Sequence, residues 1–151
     1  MLQRVAPLAV LVVAALRAAS AATCGSDDPV GVPERVTAEE TRILAGCIAK
    51  TGGRNASTPE GLIRGCTSAI KSGRLGRQAL AYAHLSRGYV HYANSRFDQA
   101  LEDLDRAIAL KPDYANALLV RSHIHTAKGS TSRADEDMAR FKAMGGDMSG
   151  C

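Results

Sequence analysis

The chain has 151 residues, of which 46% are hydrophobic and only 4% are aromatic, and it contains no Trp. A chain of this length forms one small domain, and a core rich in Ala, Leu and Ile favours closely packed helices over strands. The formal net charge of +4 falls to +2 when Arg4 and Arg17 are set aside, too little to indicate a nucleic-acid-binding protein. We therefore expect an all-α domain that does not bind nucleic acid.

Residues 1–22 have the three parts of a secretory signal peptide. MLQR supplies positive charge, VAPLAVLVVAAL is an apolar run of twelve, and RAASAA offers small residues for cleavage. Twelve apolar residues are too few for a transmembrane helix, which needs roughly twenty. We expect a periplasmic or secreted protein whose residues 23–36 form a flexible segment. A lipid anchor at Cys24 is an alternative, although the residues before it do not form a Leu-Ala-Gly-Cys type box.

Two helix starts follow in residues 37–80, where we predict a first, degenerate hairpin. Thr37 and Glu40 have the spacing of a capping box, and we expect their helix to continue to about Lys50. Ser57 or Thr58, followed by Pro59, is a typical start for the second helix, GLIRGCTSAIKSG. Because this segment is exported, Cys47 and Cys66 on the two helices are predicted to form a disulfide worth on the order of 3 kcal/mol. The pairing of Cys24 and Cys151 stays open.

The rest of the chain repeats itself with a period of 34 residues. Each copy contains two amphipathic helices, and the short turns NSR and GS predict antiparallel hairpins. The predicted helices are Ala79–Asn94, Phe97–Leu110, Tyr114–Lys128 and Thr131–Met144. The residues that recur are Ala81, Ala83, Leu85, Arg87, His91, Ala93, Ala100, Glu102, Asp103 and Arg106 with Ala115, Ala117, Leu119, Arg121, His125, Ala127, Ala134, Glu136, Asp137 and Arg140.

Residues 81–114 contain small or apolar residues and a closing proline at a characteristic spacing: Gly88, Ala100, Leu104, Ala107 and Pro112. In this spacing the segment resembles a tetratricopeptide repeat. Residues 115–144 are a looser copy without the closing proline, followed by a flexible tail at 145–151. The resemblance implies a short solenoid of about two and a half repeats that binds another protein, catalyses nothing and holds no cofactor. The segment 63–70 further resembles small exported repeat proteins of an alphaproteobacterial type.

Tyr82, Tyr89 and Tyr92 recur along the first helix of the repeat, and with Leu85 they occupy an arc of about 80°. The resemblance places these residues at family positions that face the concave groove. Corresponding positions of the second copy complete a predicted peptide-binding groove. The full set is Tyr82, Leu85, Tyr89, Tyr92, Tyr114, Asn116, Leu119 and His123. An aromatic stripe at helical spacing is more often core than binding surface, but Ala81, His84, Gly88 and His91 already fill the packing positions of this helix, which favours the groove. Both interpretations stay open.

Three further features allow other interpretations. His123 and His125 point about 200° apart on a helix, which disfavours a metal site, yet the four histidines leave a metal or haem binder as an alternative. The C-terminal end has no capping helix, so self-association through it is a second alternative. The stretch between Glu60 and Asp98 contains no acidic residue. The cations of this stretch form either a solvated face or a basic strip. Those cations are Arg64, Lys71, Arg74, Arg77, Arg87 and Arg96.

Overall fold

The computed structural model describes residues 36–48 and 58–146, which are all-α and contain no strand. The helices are α1 (Ala38–Leu44), α2 (Pro59–Lys71), α3 (Arg77–Ala93), α4 (Phe97–Leu110), α5 (Ala115–Ala127) and α6 (Thr131–Ala143). The predicted fold class is therefore confirmed. The predicted signal peptide, Cys24 and Cys151 lie outside the described residues. Over the described ranges, no helix is long and apolar enough to cross a membrane.

Consecutive helices pack in pairs, α1 with α2, α3 with α4 and α5 with α6. The pairs also contact one another, because α2 packs on α3 and α4 packs on α5. The result is a short solenoid of the tetratricopeptide type. Since the turns at 94–96 and 128–130 reverse the chain and α4 returns it to α5, helices α3 and α5 run in the same direction.

Helix α3 approaches α4 closely at Gly88, one of the predicted packing positions. A Cβ added to Gly88 would lie 3.1 Å from the Asp103 Cβ and 3.3 Å from the Ala100 carbonyl oxygen. Ala100 and Leu104 are fully buried beside it. In the second hairpin Ser122 occupies the corresponding position, where it is 1% exposed and donates to the Leu119 carbonyl oxygen over 2.8 Å. Small residues at this position therefore set the distance between the paired helices.

Helix α1 begins at the predicted capping box. The Thr37 hydroxyl accepts a hydrogen bond from the Glu40 amide over 3.2 Å, and the Glu40 carboxylate accepts one from the Thr37 amide over 2.8 Å. The same carboxylate accepts a bond from the Gly76 amide at the start of α3 over 2.7 Å. These hydrogen bonds lower the pKa of Glu40, led by the bond from the Thr37 amide. Glu40 therefore joins the first helix to the third.

Helix α1 ends at Leu44, earlier than the predicted end near Lys50, because the chain turns there to meet α2. A Cβ on Gly65 would lie 1.9 Å from the Gly46 carbonyl oxygen, so the two glycines bring backbone against backbone. Cys47 and Cys66 follow these glycines, with Cα atoms 4.4 Å apart, and form the predicted disulfide. The glycine contact thus allows the approach that the disulfide needs.

Candidate functional site: an aromatic cluster

The structure divides the eight predicted groove residues into buried and accessible groups. Tyr82 is 1% exposed, Leu85 is fully buried and Tyr114 is 8% exposed. The accessible group is half-buried except for His123, which is exposed. Its members are Tyr89, Tyr92, Asn116, Leu119 and His123. Three of the eight predicted residues are therefore buried, and the groove stays a prediction for the five accessible ones.

Tyr82 and Leu85 are core residues because α3 is the central helix of the described chain. It packs against α1, α2, α4 and α5, whereas a terminal helix has neighbours on fewer sides. Both side chains belong to the hydrophobic core cluster together with Tyr114. Tyr114 also lies under the Lys111 ammonium group, whose nitrogen is 4.7 Å from the ring centroid. For these three residues, the core interpretation of the aromatic stripe describes the structure.

The accessible aromatic side chains form a connected set that spans two neighbouring repeats. The ring centroids of Tyr89 and Tyr92 are 6.2 Å apart, and that of Tyr92 lies 6.5 Å from the His123 ring. Phe97 joins the set from the start of α4, with its centroid 6.4 Å from that of Tyr92. We call Tyr89, Tyr92, Phe97 and His123 the aromatic cluster. It lies towards the C-terminal ends of α3 and α5, beside half-buried Leu119.

Phe97 is missing from the predicted groove, although the sequence contained a usable signal. The apolar spacing of α4 includes Phe97, which by itself indicates a side chain packed into the core. The structure shows it half-buried instead. Only residues 94–96 separate α3 from α4, so the first residue of α4 must return close to the last turn of α3. This turn length brings Phe97 to Tyr92.

A set of polar residues connects the helices on the side of the repeats away from the aromatic cluster. Arg87 of α3 donates two hydrogen bonds to the Asp103 carboxylate of α4, over 2.8 and 2.7 Å. It also donates to the Thr67 hydroxyl of α2 over 2.8 Å. His84 donates from Nδ1 to Asp103 over 2.9 Å. Burial would raise the pKa of Asp103, but the bonds from His84 and Arg87 outweigh it and lower the pKa.

The same arrangement recurs in the second repeat. Arg121 of α5 donates two hydrogen bonds to Asp137 of α6, both over 2.7 Å. Its third bond reaches Asp105 of α4 over 2.6 Å. These bonds, with that to Asp137 first, raise the pKa of Arg121. Arg87 and Arg121 therefore each connect three consecutive helices. The sequence signal for this network is that the same two residue types, Arg and Asp, recur at an offset of 34.

The four histidines are dispersed rather than convergent. His91 and His125 occupy equivalent positions, are 7% and 9% exposed, and have pKa values lowered by burial. His84 contacts Asp103, whereas His123 belongs to the aromatic cluster. Across residues 36–48 and 58–146, no group of three or more His, Cys, Asp or Glu side chains could hold a metal ion.

Three of the six cations in the acid-free stretch bond to side chains of the fold, and the choice between a solvated face and a basic strip stays open. In the acid-free stretch, Arg74 pairs with Glu39 and Arg96 with Glu60, in addition to the bonds of Arg87. A surface cleft of about 310 Å³ next to Arg121 is lined largely by charged groups of the interhelical network. At the C-terminal end, the outer side of α6 is mainly polar, and Met144, 38% exposed, is the one exposed large hydrophobic side chain in the described ranges.

Comparison with known families bears on the central hairpin. The sequence model of the tetratricopeptide repeat matches residues 81–114. This repeat comprises α3, α4 and the connection as far as Tyr114, and the match confirms the resemblance for the first copy. Neither the comparison with curated proteins nor that with solved structures found a match.

The tetratricopeptide repeat match indicates a general role but no specific partner. Such repeats are typically non-catalytic modules for protein–protein interaction, which is the role that the match indicates. The second copy lies outside the matched range, yet it repeats the paired helices, the Arg-to-Asp bonds and the buried histidine of the first. The aromatic cluster extends across both copies.

Proposed function

We propose that the protein is a non-catalytic binding module that holds a peptide segment of another protein on its concave face. The contacts come from Tyr89, Tyr92, Leu119, Asn116 and His123. The observation that carries this proposal is the connected aromatic cluster, which joins α3 to α5 of the neighbouring repeat, includes Phe97 from the start of α4 and remains partly exposed. Tyrosine rings supply large, rigid contact areas and a hydroxyl at the edge, which suits protein interfaces.

The buried tyrosines have a supporting role in this proposal. Tyr82, Leu85 and Tyr114 lie in the core cluster, where they hold the backbone of α3 and of the α4–α5 connection in place. A rigid surface loses less conformational entropy on binding than a mobile one. The partner therefore meets a surface whose rings are already arranged by the fold.

The interface is small, because the accessible groove residues lie on only two repeat helices. Such a contact buries less than about 1,000 Å² in total, which is typical of weak or transient complexes. We therefore expect a dissociation constant in the micromolar range.

Export completes the proposal. The Cys47–Cys66 disulfide is typical of an oxidising compartment, and residues 1–22 have the pattern of a signal peptide. We place the mature protein in the periplasm or outside the cell. For the self-associating and histidine-based alternatives, the described residues offer no apolar end face and no converging ligand set.

Site-specific photo-crosslinking tests the proposed function. A photoreactive amino acid replaces His123 in the groove, and a matched variant carries it at Gln99, an exposed position on α4. With extract from the source organism, we expect position 123 to crosslink to a partner that position 99 does not capture, and Tyr92→Ala to reduce the yield. Equal products from both positions, or an unchanged yield in a folded Tyr92→Ala protein, would contradict a groove site.

A further inference from the structure

We propose that the outer side of α2 and the start of α3 form a second docking surface, which binds an acidic segment of a protein partner. The surface consists of three exposed cations, Arg64, Lys71 and Arg77, which we call the basic surface. Its residues and its chemistry differ from those of the aromatic cluster, so this inference does not rest on the proposed function. It follows from the geometry of α2, from the pairing of the surrounding charges and from the comparison of α2 with α4.

The helical period places Arg64 and Lys71 on one line along α2. Seven residues are almost two full turns, so the two side chains point about 20° apart and begin about 10.5 Å apart along the helix axis. The buried residues of the helix lie on its opposite side: Leu62, Cys66 and Ala69. An anionic segment can therefore approach this side of α2 without displacing a core residue.

Arg77 adds a third cation at the C-terminal end of this line. Helix α2 ends at Lys71 and α3 begins at Arg77, so the short connection 72–76 returns the start of α3 to the end of α2. Both residues are exposed. At an ionic strength of about 0.01 M the Debye length is about 30 Å, so the three charges then attract the same anionic segment together.

The acidic groups of the elements around the basic surface are engaged elsewhere. Glu60 of α2 accepts a hydrogen bond from Arg96 over 3.4 Å. On α1, Glu39 pairs with Arg74, and Glu40 caps its own helix. In the described part of the chain, no ion pair joins a carboxylate to any cation of the basic surface. An acidic segment would therefore meet three cations whose charge is not already neutralised.

Comparison with α4 shows that the repeat does not require these cations. The buried residues of the two helices have the same spacing: Leu62, Cys66 and Ala69 in α2, and Ala100, Leu104 and Ala107 in α4. In this alignment Glu102 takes the position of Arg64. Ala109 takes the position of Lys71, and all four side chains are exposed. The positive charge is therefore a property of α2 that helix packing does not explain.

The size and composition of the basic surface favour a protein segment over a lipid membrane. Basic clusters that bind anionic membranes typically contain about four to eight Lys or Arg residues, and this surface has three. It also lacks an apolar side chain to insert, because Met144 is the one exposed large hydrophobic residue in the described ranges. The tetratricopeptide repeat match likewise indicates interaction with proteins.

Titration with a capped hexaglutamate peptide, followed by NMR of the mature protein, tests this inference. A capped Gly-Ser peptide of equal length and vesicles of phosphatidylglycerol are the comparison probes. At about 10 mM salt, we expect hexaglutamate but not the Gly-Ser peptide to shift the backbone amide signals of residues 64–77. Its dissociation constant should rise at least about fivefold at about 300 mM salt. The triple variant Arg64→Gln, Lys71→Gln, Arg77→Gln should bind hexaglutamate about tenfold more weakly at low salt.

A matched triple variant separates a docking surface from an effect of net charge. Arg106→Gln, Arg133→Gln, Lys142→Gln removes the same charge from exposed positions elsewhere and should change the affinity less than about twofold. Circular dichroism checks that both variants keep their helices. Equal losses of affinity in the two variants, or no hexaglutamate binding at low salt, would overturn the inference and leave a solvated face. Loss of vesicle binding without loss of peptide binding in the first variant would assign the surface to a membrane and overturn the partner class.

Discussion

Arg121 connects three helices through one guanidinium group. It makes two bonds to Asp137, whose side chain is 5% exposed, and one to Asp105. Asp137→Asn removes the charge from a buried pair and leaves part of the guanidinium unsatisfied, which should lower the free energy of unfolding by about 2–4 kcal/mol. Asp135→Asn, at an exposed position of the same helix, is the matched control. Urea unfolding measures both, and equal midpoints would contradict a stabilising role for the pair.

Ser95 adopts a backbone conformation that side chains disfavour, with φ at 58°. The equivalent residue of the second repeat is Gly129, with φ at 75°. Because glycine adopts this region without steric cost, Ser95→Gly should raise the free energy of unfolding by about 1 kcal/mol. Gly129→Ser should lower it by a similar amount. Thermal unfolding by circular dichroism checks both, and a fall in stability for Ser95→Gly would show that its side chain offsets the strain.

At the scale of elements, the first hairpin depends on the contact between Gly46 and Gly65. A Cβ at position 65 would lie 1.9 Å from a backbone oxygen, which no rotamer change can relieve. We therefore expect Gly65→Ala to force α1 away from α2 and to lower the free energy of unfolding by about 2 kcal/mol or more. Ser68→Ala, exposed on the same helix, should leave stability nearly unchanged. The measurement is guanidinium unfolding of the oxidised proteins.

The same substitution separates the disulfide from the packing that surrounds it. If Gly65→Ala strains the site, Cys47 and Cys66 should be reduced by dithiothreitol faster than in the unmodified protein, because their Cα separation of 4.4 Å depends on the glycine contact. An unchanged unfolding midpoint together with an unchanged reduction rate would mean that the hairpin accommodates the methyl group.

How far the sequence predicts each element depends on whether its signal is local or tertiary. Caps at Thr37 and Thr58 are local hydrogen bonds, and the structure has both. The apolar period also predicts α4 from Phe97 to Leu110 correctly. The end of α1 is different, because it depends on a backbone contact with Gly65 of another helix. Helix propensity contains no information about that contact, so the predicted helix was too long.

For the candidate site and the network behind it, too, local signals are predicted from the sequence and tertiary contacts are not. The 34-residue offset gives the partners Arg87 and Asp103 as a repeated pair, but not their bond, which requires the relative position of α3 and α4. The tyrosine stripe defines one side of α3, yet burial along that stripe changes from Tyr82 to Tyr92 as neighbouring helices cover it. Periodicity predicts a shared face, whereas exposure depends on the entire solenoid.

At the scale of the whole molecule, each repeat contributes one buried histidine, and both should respond to acid together. Burial lowers the pKa of His91 and His125 below the ordinary value of 6.5. The unfolded chain therefore binds protons more readily than the folded one. As pH falls through about 6.5, protonation favours the unfolded state, so the free energy of unfolding should decrease until the folded-state pKa values are reached. Charged neighbours, Asp103 and Arg87 around His91, modulate this effect without reversing its direction.

The acid response can be assigned by substitution. In the double variant that combines His91→Gln and His125→Gln, neutral side chains replace both buried imidazoles. The slope of unfolding free energy against pH between about pH 7 and pH 5 should therefore become flatter. Gln99→Ala, an exposed substitution that removes no ionisable group, is the control and should keep the original slope. Asp103 acts in a separate window, because its lowered pKa keeps the carboxylate ionised until lower pH. An unchanged slope in the double variant would mean that the acid response comes from other groups, and the two repeats would then not share a histidine-based sensitivity.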